Sequence, residues 1–232
     1  MPTTTIVYGK GGSGKSAISR LIAHNAPPSL TLIDLDTQNG SLNRHYKTID
    51  RIDRKDDLGG WVEERAWPAM VAGDVSLDLG SGEVDRFLEW AEAQGFSEMA
   101  KSHHINIKLV CVISLSKDGL PSFVSWRSVF PDYHHVLIRN SGSSNDKKKT
   151  SKYFSDLAGR PAWKEHVEGT NVKVVDFDNL TEMLEIDLHN ATFAEALDGI
   201  VINGVSNLDP WGRQRVSLWL RKHTEILKGA LS

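Results

Sequence analysis

The sequence predicts an α/β fold with a doubly wound, mostly parallel β-sheet flanked by helices. Three observations lead to this prediction: short apolar runs recur, most of them are continuously apolar, and helical patterns separate them. Strands that are apolar on both faces are typical of a parallel sheet covered by helices on each side. With 232 residues, of which 40% are hydrophobic, the chain can bury one such core. We therefore expect a single domain over residues 1–232.

The predicted strands and helices alternate along the chain, which is the order of a doubly wound fold. The strand candidates are TTIVYG, LTLIDL, VSLDLG, IKLVCVISL, HVLIRN and VKVVDF. The helix candidates lie at 15–26, 83–101, 119–130, 149–158 and 179–198. The polar stretch at 140–152 is the most loop-like segment.

A last helix is predicted to begin at Asp209-Pro210, because proline is favoured in the first helical turn. Its apolar positions recur at helical spacing, as in Val216 and Leu220. The basic residues on its other sides are Arg213, Arg215, Arg221, Lys222 and Lys228. We expect this helix to pack on the core with a solvated basic face. Binding to an anionic membrane surface is the alternative.

Composition excludes several classes of protein. The formal net charge of −3 gives no global signal for nucleic acid, so DNA contact would require a local basic patch. Cys111 is the only cysteine, which excludes an intrachain disulfide and an all-cysteine metal site; we expect its thiol to be packed in a buried strand. The N-terminus lacks the pattern of a secretory signal, and the cytoplasm is the expected compartment.

The stretch IVYGKGGSGKSAIS satisfies the phosphate-loop pattern G-x-x-x-x-G-K-[ST] with Gly9, Gly14, Lys15 and Ser16. A predicted strand precedes it and a helix follows, as the motif requires. Backbone N–H groups of such a loop converge on phosphates, the lysine neutralises their oxygens, and the serine hydroxyl can ligate Mg²⁺. The sequence therefore predicts a nucleotide phosphate site.

Three aspartates follow predicted strands. Asp34 and Asp36 end LTLIDLD, and Asp78 lies near the end of VSLDL. Because ligands of open parallel sheets bind beyond the carboxyl ends of the strands, all three could face the phosphates. Asp78 is predicted to anchor Mg²⁺, and a helix cap or turn residue is the alternative for it.

In this order and spacing, GKGGSGKS, DLDTQ and LDLGSG resemble the ParA/MinD family of ATPases with a deviant phosphate loop. The resemblance is carried mainly by the first 80 or so residues. It implies binding of ATP or ADP with Mg²⁺, slow hydrolysis stimulated by a protein partner, and a homodimer that sandwiches two ATP molecules.

The resemblance also implies residue roles. Lys10 would reach the partner's phosphates, acting in trans as an arginine finger does. With Lys15 and Asp36 it forms the predicted catalytic set, in which Asp36 handles the attacking water. The predicted metal ligands are Ser16, Asp36 and Asp78, whereas Asp34 is structural or acts on Mg²⁺ through one of its ligands. The nucleotide-binding residues are Gly9, Gly11, Gly12, Ser13, Gly14, Lys15, Ser16, Ala17 and Asn140.

The sequence departs from the family pattern after two of the aspartates. Prolines are common there in the family, whereas Thr37 and Leu79-Gly80 stand here, so these segments could couple differently to a partner. Asn140 matches a position that often contacts adenine, and a turn-forming asparagine is the alternative.

Several functions remain open at this point. A partition or positioning switch would bind DNA non-specifically as an ATP dimer, and the candidate contacts are Lys147, Lys148, Lys149, Lys152 and the basic face of the last helix. The alternatives are an ATP-dependent ligase or kinase acting on a small molecule, a nucleotide-binding adaptor with little hydrolysis, and a membrane-associated positioning ATPase of the MinD type, although membrane contact is not expected.

Two further groups of residues are interpreted without a catalytic role. The histidine pairs 103–104 and 134–135 are predicted to be surface loop residues. The tryptophans, including those of WVEERAW at 61–67 and Trp126, are predicted to be packing groups or a partner-binding face.

Overall fold

The computed structural model describes residues 1–40, 42–46, 50–115, 118–142, 146–168 and 170–232. Seven strands form one parallel sheet, and their bounds are β1 Thr3–Tyr8, β2 Thr31–Leu35, β3 Asp50–Arg51, β4 Val75–Leu79, β5 Asn106–Ile113, β6 His134–Asn140 and β7 Val172–Phe177. Their order across the sheet is β3-β2-β4-β1-β5-β6-β7. A short antiparallel hairpin adds β8 Val201–Ile202 and β9 Val205–Ser206. The predicted α/β fold class is confirmed.

The central strand β1 marks the point at which the sheet changes winding direction. The chain first adds β2, β3 and β4 on one side of β1, and then β5, β6 and β7 on the other. β1 pairs with β4 through Val7 opposite Asp78, and with β5 through Tyr8 opposite Cys111. A crevice forms at the carboxyl ends of the strands where the winding reverses, and the glycine-rich loop leaves β1 there.

Helices cover both faces of the sheet. Their bounds are α1 Lys15–His24, α2 Leu58–Trp61, α3 Trp67–Ala72, α4 Glu83–Ala93, α5 Phe96–Ser102, α6 Gly119–Val129, α7 Lys147–Ala158, α8 Pro161–His166, α9 Met183–Leu188, α10 Phe193–Leu197 and α11 Pro210–Leu231. A π-helical turn, Val62–Ala66, joins α2 to α3.

Two segments that were each predicted to form one helix form two helices instead. The segment 83–101 is divided into α4 and α5, because Gly95 adopts a left-handed conformation with a φ of 62°. The segment 179–198 is divided into α9 and α10, with Asn190 at a φ of 49° between them. The loop expected over 140–152 is shorter, because Asp146 accepts a hydrogen bond from Lys149 N and caps α7.

The core has one layer on each side of the sheet. On the side of α4 and α6, Tyr8 stacks on Trp126 with a ring-centroid distance of 4.0 Å. On the side of α1, Val216 and Leu220 of α11 are buried, so the expected packing of the last helix on the core is confirmed. Cys111 is buried in β5, as predicted. Among the described residues, no helix combines the length and apolar composition that a membrane span requires.

The prediction for one histidine pair is wrong. His134 and His135 are the first residues of β6, and His135 is fully buried. Its Nε2 bonds with Phe130 O at 2.7 Å, and desolvation lowers its pKa to about 4. His103 and His104 are exposed at the end of α5, as predicted.

Candidate functional site

The glycine-rich loop spans residues 9–14, between the end of β1 and the start of α1. Gly14 caps α1 with a φ of 95°, and a Cβ there would lie 2.1 Å from Asn140 Nδ2. A side chain would therefore be both strained and obstructed. The first N–H groups of α1 have no partners within the helix and favour anions at this end.

A cavity of about 320 Å³ opens beside this loop. It is lined by Gly11, Gly12, Gly14, Lys15, Ser16, Ala17, Arg20, Asp36, Asn39, Asp78, Leu79, Ser81, Met183 and Asp187. The fold thus brings the predicted loop residues together with both carboxylates that were predicted to serve Mg²⁺. We call this cavity the phosphate pocket. Gly9, Lys10 and Ser13 do not line it.

Lys15 is buried at the base of the phosphate pocket. Its Nζ donates a hydrogen bond to Lys10 O at 3.2 Å, which closes the loop around the side chain. Burial lowers the pKa of Lys15, while the nearby Asp78 and Asp36 carboxylates oppose this effect. The ammonium group therefore lies where an anionic ligand would compensate for its lost hydration.

Asp78 is the most perturbed carboxylate of the pocket. Desolvation, followed by repulsion from Asp34, raises its pKa to about 7. Its Oδ1 is buried and has no hydrogen-bond partner among the described residues. A cation would satisfy this oxygen, so Asp78 fits an Mg²⁺ site in the same pocket that Ser16 lines.

A complete metal site made only of protein groups is not present in the described part of the chain. No group of three or more His, Cys, Asp and Glu side chains is arranged to hold a metal there. Mg²⁺ in nucleotide sites keeps waters and phosphate oxygens and uses one or two carboxylates. Ser16, Asp36 and Asp78 fit that kind of partial donor set.

Asp34 organises the loop that follows β2. Its carboxylate is buried and accepts hydrogen bonds from the N–H groups of Asp36, Leu42 and Asn43, at 2.9, 3.0 and 2.8 Å. Burial raises the pKa of Asp34, and the backbone hydrogen bonds oppose that shift. These contacts fit the structural role that was one of the two expectations for this residue.

Asp36 lies at the edge of the phosphate pocket with its position fixed by backbone groups. Its Oδ1 accepts hydrogen bonds from Gln38 N and Asn39 N, at 3.0 and 2.8 Å. The Arg51 guanidinium donates to Asp36 O at 3.3 Å. A carboxylate held in this way beside a phosphate site can orient a water molecule.

The segments after Asp36 and after Asp78, where prolines were expected from the resemblance, lie against each other. Thr37 Oγ1 donates to Glu83 Oε1 at 2.5 Å, which joins the segment after Asp36 to the start of α4. A Cβ at Gly80 would lie 2.8 Å from Asp36 Cα and 2.3 Å from Glu83 Oε2. A proline at position 80 carries that Cβ and would not fit without movement of Asp36, so position 80 alone has a steric reason for glycine.

Lys10 points away from the phosphate pocket. Its Nζ pairs with Asp85 Oδ2 in α4 at 3.0 Å, and both side chains are partly exposed. The residue predicted to act on a partner's phosphates is thus held within its own chain.

Asn140 connects β6 to the glycine-rich loop. Its Nδ2 donates to Ser13 O at 2.8 Å, and its Oδ1 accepts from Gly142 N at 2.9 Å. The second contact is the turn-forming role that was the alternative. Asn140 also lines a cavity of about 170 Å³ that continues from the glycine-rich loop to Phe177 and Trp219, so the adenine contact stays a prediction.

Arg20 is the charged residue of α1 in the pocket that the sequence analysis missed, and Asn39, Ser81, Met183 and Asp187 were also not predicted. Arg20 lies in α1 four residues after Ser16, and this helical spacing is the signal that could have identified it. Its buried guanidinium pairs with Asp187 at 2.8 Å and lies 3.1 Å from His45 Nε2. A second cation is thereby placed in the phosphate pocket, and α9 is tied to its rim through Asp187.

A seven-stranded parallel sheet, a glycine-rich loop after its central strand and a lysine-serine pair opening the next helix define the fold of a phosphate-loop NTPase. No protein-family model matches the chain, and no curated protein matches it in sequence.

Two solved structures that are similar to the chain are both of McdA from Cyanothece. The apo structure is 14% identical with a TM-score of 0.47, and the match covers 95% of this chain and 99% of that one. An aspartate-to-alanine variant of McdA in complex with ATP is 14% identical with a TM-score of 0.48, and the match covers 95% and 96% of the two chains. The likeness is distant and concerns the arrangement of secondary structure.

Proposed function

We propose that this protein is an Mg²⁺-dependent ATPase of the ParA/MinD type that dimerises on ATP and acts as a partition or positioning switch. The observation that carries the proposal is the convergence of Lys15, Ser16, Asp36 and Asp78 on one pocket of about 320 Å³ beside the glycine-rich loop. The buried charges of this pocket need compensation. Nucleotide phosphates would neutralise the lysine, and Mg²⁺ would neutralise the carboxylates.

Each group in the pocket has a role in this proposal. Lys15 binds the β- and γ-phosphates, and the loop N–H groups between Gly11 and Ala17 surround them. Ser16 and Asp78 hold the metal, which neutralises developing charge on the phosphates when bound. Asp36 orients the attacking water.

The proposed dimerisation rests on the resemblance of the phosphate loop to the ParA/MinD pattern, and the position of Lys10 is compatible with it. Its side chain lies outside its own phosphate pocket, paired with Asp85 at 3.0 Å, so it could reach a partner's pocket if that pair opened. A lysine supplied in trans would make hydrolysis depend on assembly.

The proposed DNA contact rests on two basic surfaces. Lys148, Lys149 and Lys152 are exposed on α7, and the side chain of Lys147 lies outside the described residues. On α11, Arg215 pairs with Glu182 and Lys222 pairs with Asp178, which reduces the positive charge of that helix. The lysines of α7 are therefore the stronger candidates for non-specific phosphate contacts.

The main alternative is an ATP-dependent ligase or kinase with a small substrate. It is favoured by an open cavity of about 760 Å³ beside the nucleotide region, lined by polar groups that include Arg139, Thr150 and Asp176. A MinD-type membrane helix is disfavoured, because Val216, Leu220 and Leu227 of α11 are buried in the core; of its large apolar side chains, Trp211 and Leu218 are exposed.

The test is steady-state ATP hydrolysis and ATP binding by the wild type and Asp36→Ala. We expect turnover to fall about 100-fold or more, since a positioned acid-base group contributes that much, while ATP affinity changes little. Asn39→Ala, which alters a neighbouring pocket residue, is the matched control. Normal hydrolysis by Asp36→Ala would contradict the assignment, and absence of hydrolysis in the wild type would favour an adaptor.

A further inference from the structure

Another cavity, of about 330 Å³, lies on the side of the sheet covered by α4. It is lined by Glu63, Trp67, Trp90, Gln94, Phe96 and Met99, and it shares no residue with the phosphate pocket. α4 starts beside that pocket and runs back toward the amino ends of the strands, where Trp90 and Gln94 lie. We call this cavity the aromatic pocket.

Three aromatic rings form the aromatic pocket. Phe96 is buried and forms its base. Trp67 and Trp90, both half-buried, contact it with ring-centroid distances of 6.0 and 5.7 Å. The ring planes of Trp67 and Phe96 meet at 73°. The lining thus includes two tryptophans, and among aromatic side chains the tryptophan face attracts cations most strongly.

A π-helical turn brings a carboxylate to these rings. Pro68 lies in the first turn of α3 and has no N–H to donate to the preceding turn, which favours the wider turn at Val62–Ala66. Glu63 lies in that turn and accepts a hydrogen bond from Trp90 Nε1 at 3.3 Å. The carboxylate therefore lies at the edge of the Trp90 ring and adds a negative group to the lining of the aromatic pocket.

The stretch of chain that supplies most of the aromatic pocket is also acidic. Between Asp57 and Glu98 the chain has ten acidic and two basic residues, and eight of the acidic side chains are exposed. The neighbouring Lys101 is paired with Asp132 at 2.9 Å. The pocket and its surroundings therefore favour a positively charged ligand.

We propose that the aromatic pocket binds an arginine or lysine side chain from a basic segment of a partner protein. The volume is at the lower end of the range for ligand pockets, about 300–1,000 Å³, which suits one long cationic side chain. Exposed carboxylates continue beyond the cavity. A segment with several basic residues could pair with several of them at once, whereas a free small cation could not. This proposal does not depend on the nucleotide function.

The test uses fluorescence anisotropy of a labelled peptide of alternating arginine and glycine, with a citrulline-glycine peptide as the uncharged probe. We expect the wild type to bind the arginine peptide and to bind the citrulline peptide at least about tenfold more weakly. Glu63→Gln and Trp67→Leu should each weaken binding of the arginine peptide by about fivefold or more. ATP binding, measured in parallel, should not change.

The matched controls separate the pocket from diffuse charge. Glu64→Gln removes the same charge from an adjacent exposed residue that does not line the cavity, and Trp211→Leu changes an exposed tryptophan of α11. Both should leave affinity within about twofold. Because Glu63 is exposed, its variant should fold even if Trp67→Leu does not.

Three results would overturn the proposal. One is the absence of peptide binding by the wild type. Another is equal weakening by Glu63→Gln and Glu64→Gln, which would mean attraction by surface charge alone. A third is displacement of the peptide by choline at the same concentration as by the unlabelled peptide, which would assign the pocket to a small organic cation.

Discussion

The base and the rim of the phosphate pocket are built in different ways. At the base, Lys15 and Asp78 are buried, and Asp34 is buried in the neighbouring strand β2. The rim, as we use the word here, is the Lys10–Asp85 pair next to the pocket and outside its lining, with side chains 31% and 65% exposed. The base is organised before a ligand arrives, whereas the rim is held by contacts that water can replace.

The free energy needed to disrupt the charged contacts therefore differs between the two regions. Exposed ion pairs contribute about 0–1 kcal/mol, so opening the Lys10–Asp85 pair costs little. Removing one member of a buried charged set leaves the others uncompensated and costs several-fold more. We therefore expect the base to determine nucleotide affinity and the rim to determine how the nucleotide state is communicated to a partner.

The largest expected effect is loss of ATP affinity at the base. Lys15→Ala removes a buried ammonium whose hydrogen bonds to phosphate oxygens are charge-assisted, and the Kd for ATP-Mg²⁺ should rise at least about 100-fold. Lys10→Ala should change the Kd of the monomer less than about threefold. Isothermal titration calorimetry measures both, and comparable losses from the two variants would remove the distinction between base and rim.

A second expected effect concerns the stability of the ligand-free protein. Burial raises the pKa of Asp78 to about 7, so the folded state holds its proton more tightly than the unfolded state. The contribution of this group to stability is present at low pH and is lost as pH rises through about 7. Asp78→Asn should therefore be more stable than the wild type at pH 8 by about 2–4 kcal/mol.

Urea unfolding at pH 5 and pH 8 measures this difference. The advantage of Asp78→Asn should shrink toward pH 5, where the wild-type carboxyl is protonated in the folded state. His135 and His223, whose pKa values burial lowers to about 4, are common to both proteins, so their effect cancels. An asparagine variant that is less stable than the wild type at pH 8 would show that the carboxylate is not strained in the absence of ligand.

The smallest expected effect is at the rim. Asp85→Asn releases Lys10 from its own chain, and the association constant of the ATP-bound dimer should increase up to about fivefold, the scale of one exposed ion pair. Asp132→Asn is the matched control, because it removes the partner of Lys101, 2.9 Å away, from an exposed pair outside the phosphate pocket. Sedimentation velocity with ATP-Mg²⁺ measures both, and weaker association of Asp85→Asn would mean that Asp85 itself supports the dimer.

The sequence predicted the features that depend on local pattern. Continuous apolar runs identified the six longer strands of the sheet, and β3 and the β8–β9 hairpin, each strand with two residues, were too short for such a signal. Loop spacing identified Lys15 and Ser16, and strand ends identified Asp36 and Asp78, because parallel strands bring their carboxyl ends together.

Features that depend on contacts between distant segments were not predictable. Arg20 enters the pocket because Asp187 of α9 meets it from 167 positions further along the chain. The Lys10–Asp85 pair depends in the same way on where α4 begins relative to the loop. The burial of His135 could not be read from its position before an apolar run, since that position is equally common in loops.

The central claim is that Lys10 acts across an ATP-dependent dimer interface. Its most direct test is light scattering of the Asp36→Ala protein with ADP-Mg²⁺ and with ATP-Mg²⁺, with and without the additional change Lys10→Ala. Blocking hydrolysis keeps the ATP state present throughout the measurement. We expect the mass to double only with ATP and only when Lys10 is present. A dimer that forms equally well without Lys10, or a mass that does not respond to ATP, would contradict the claim.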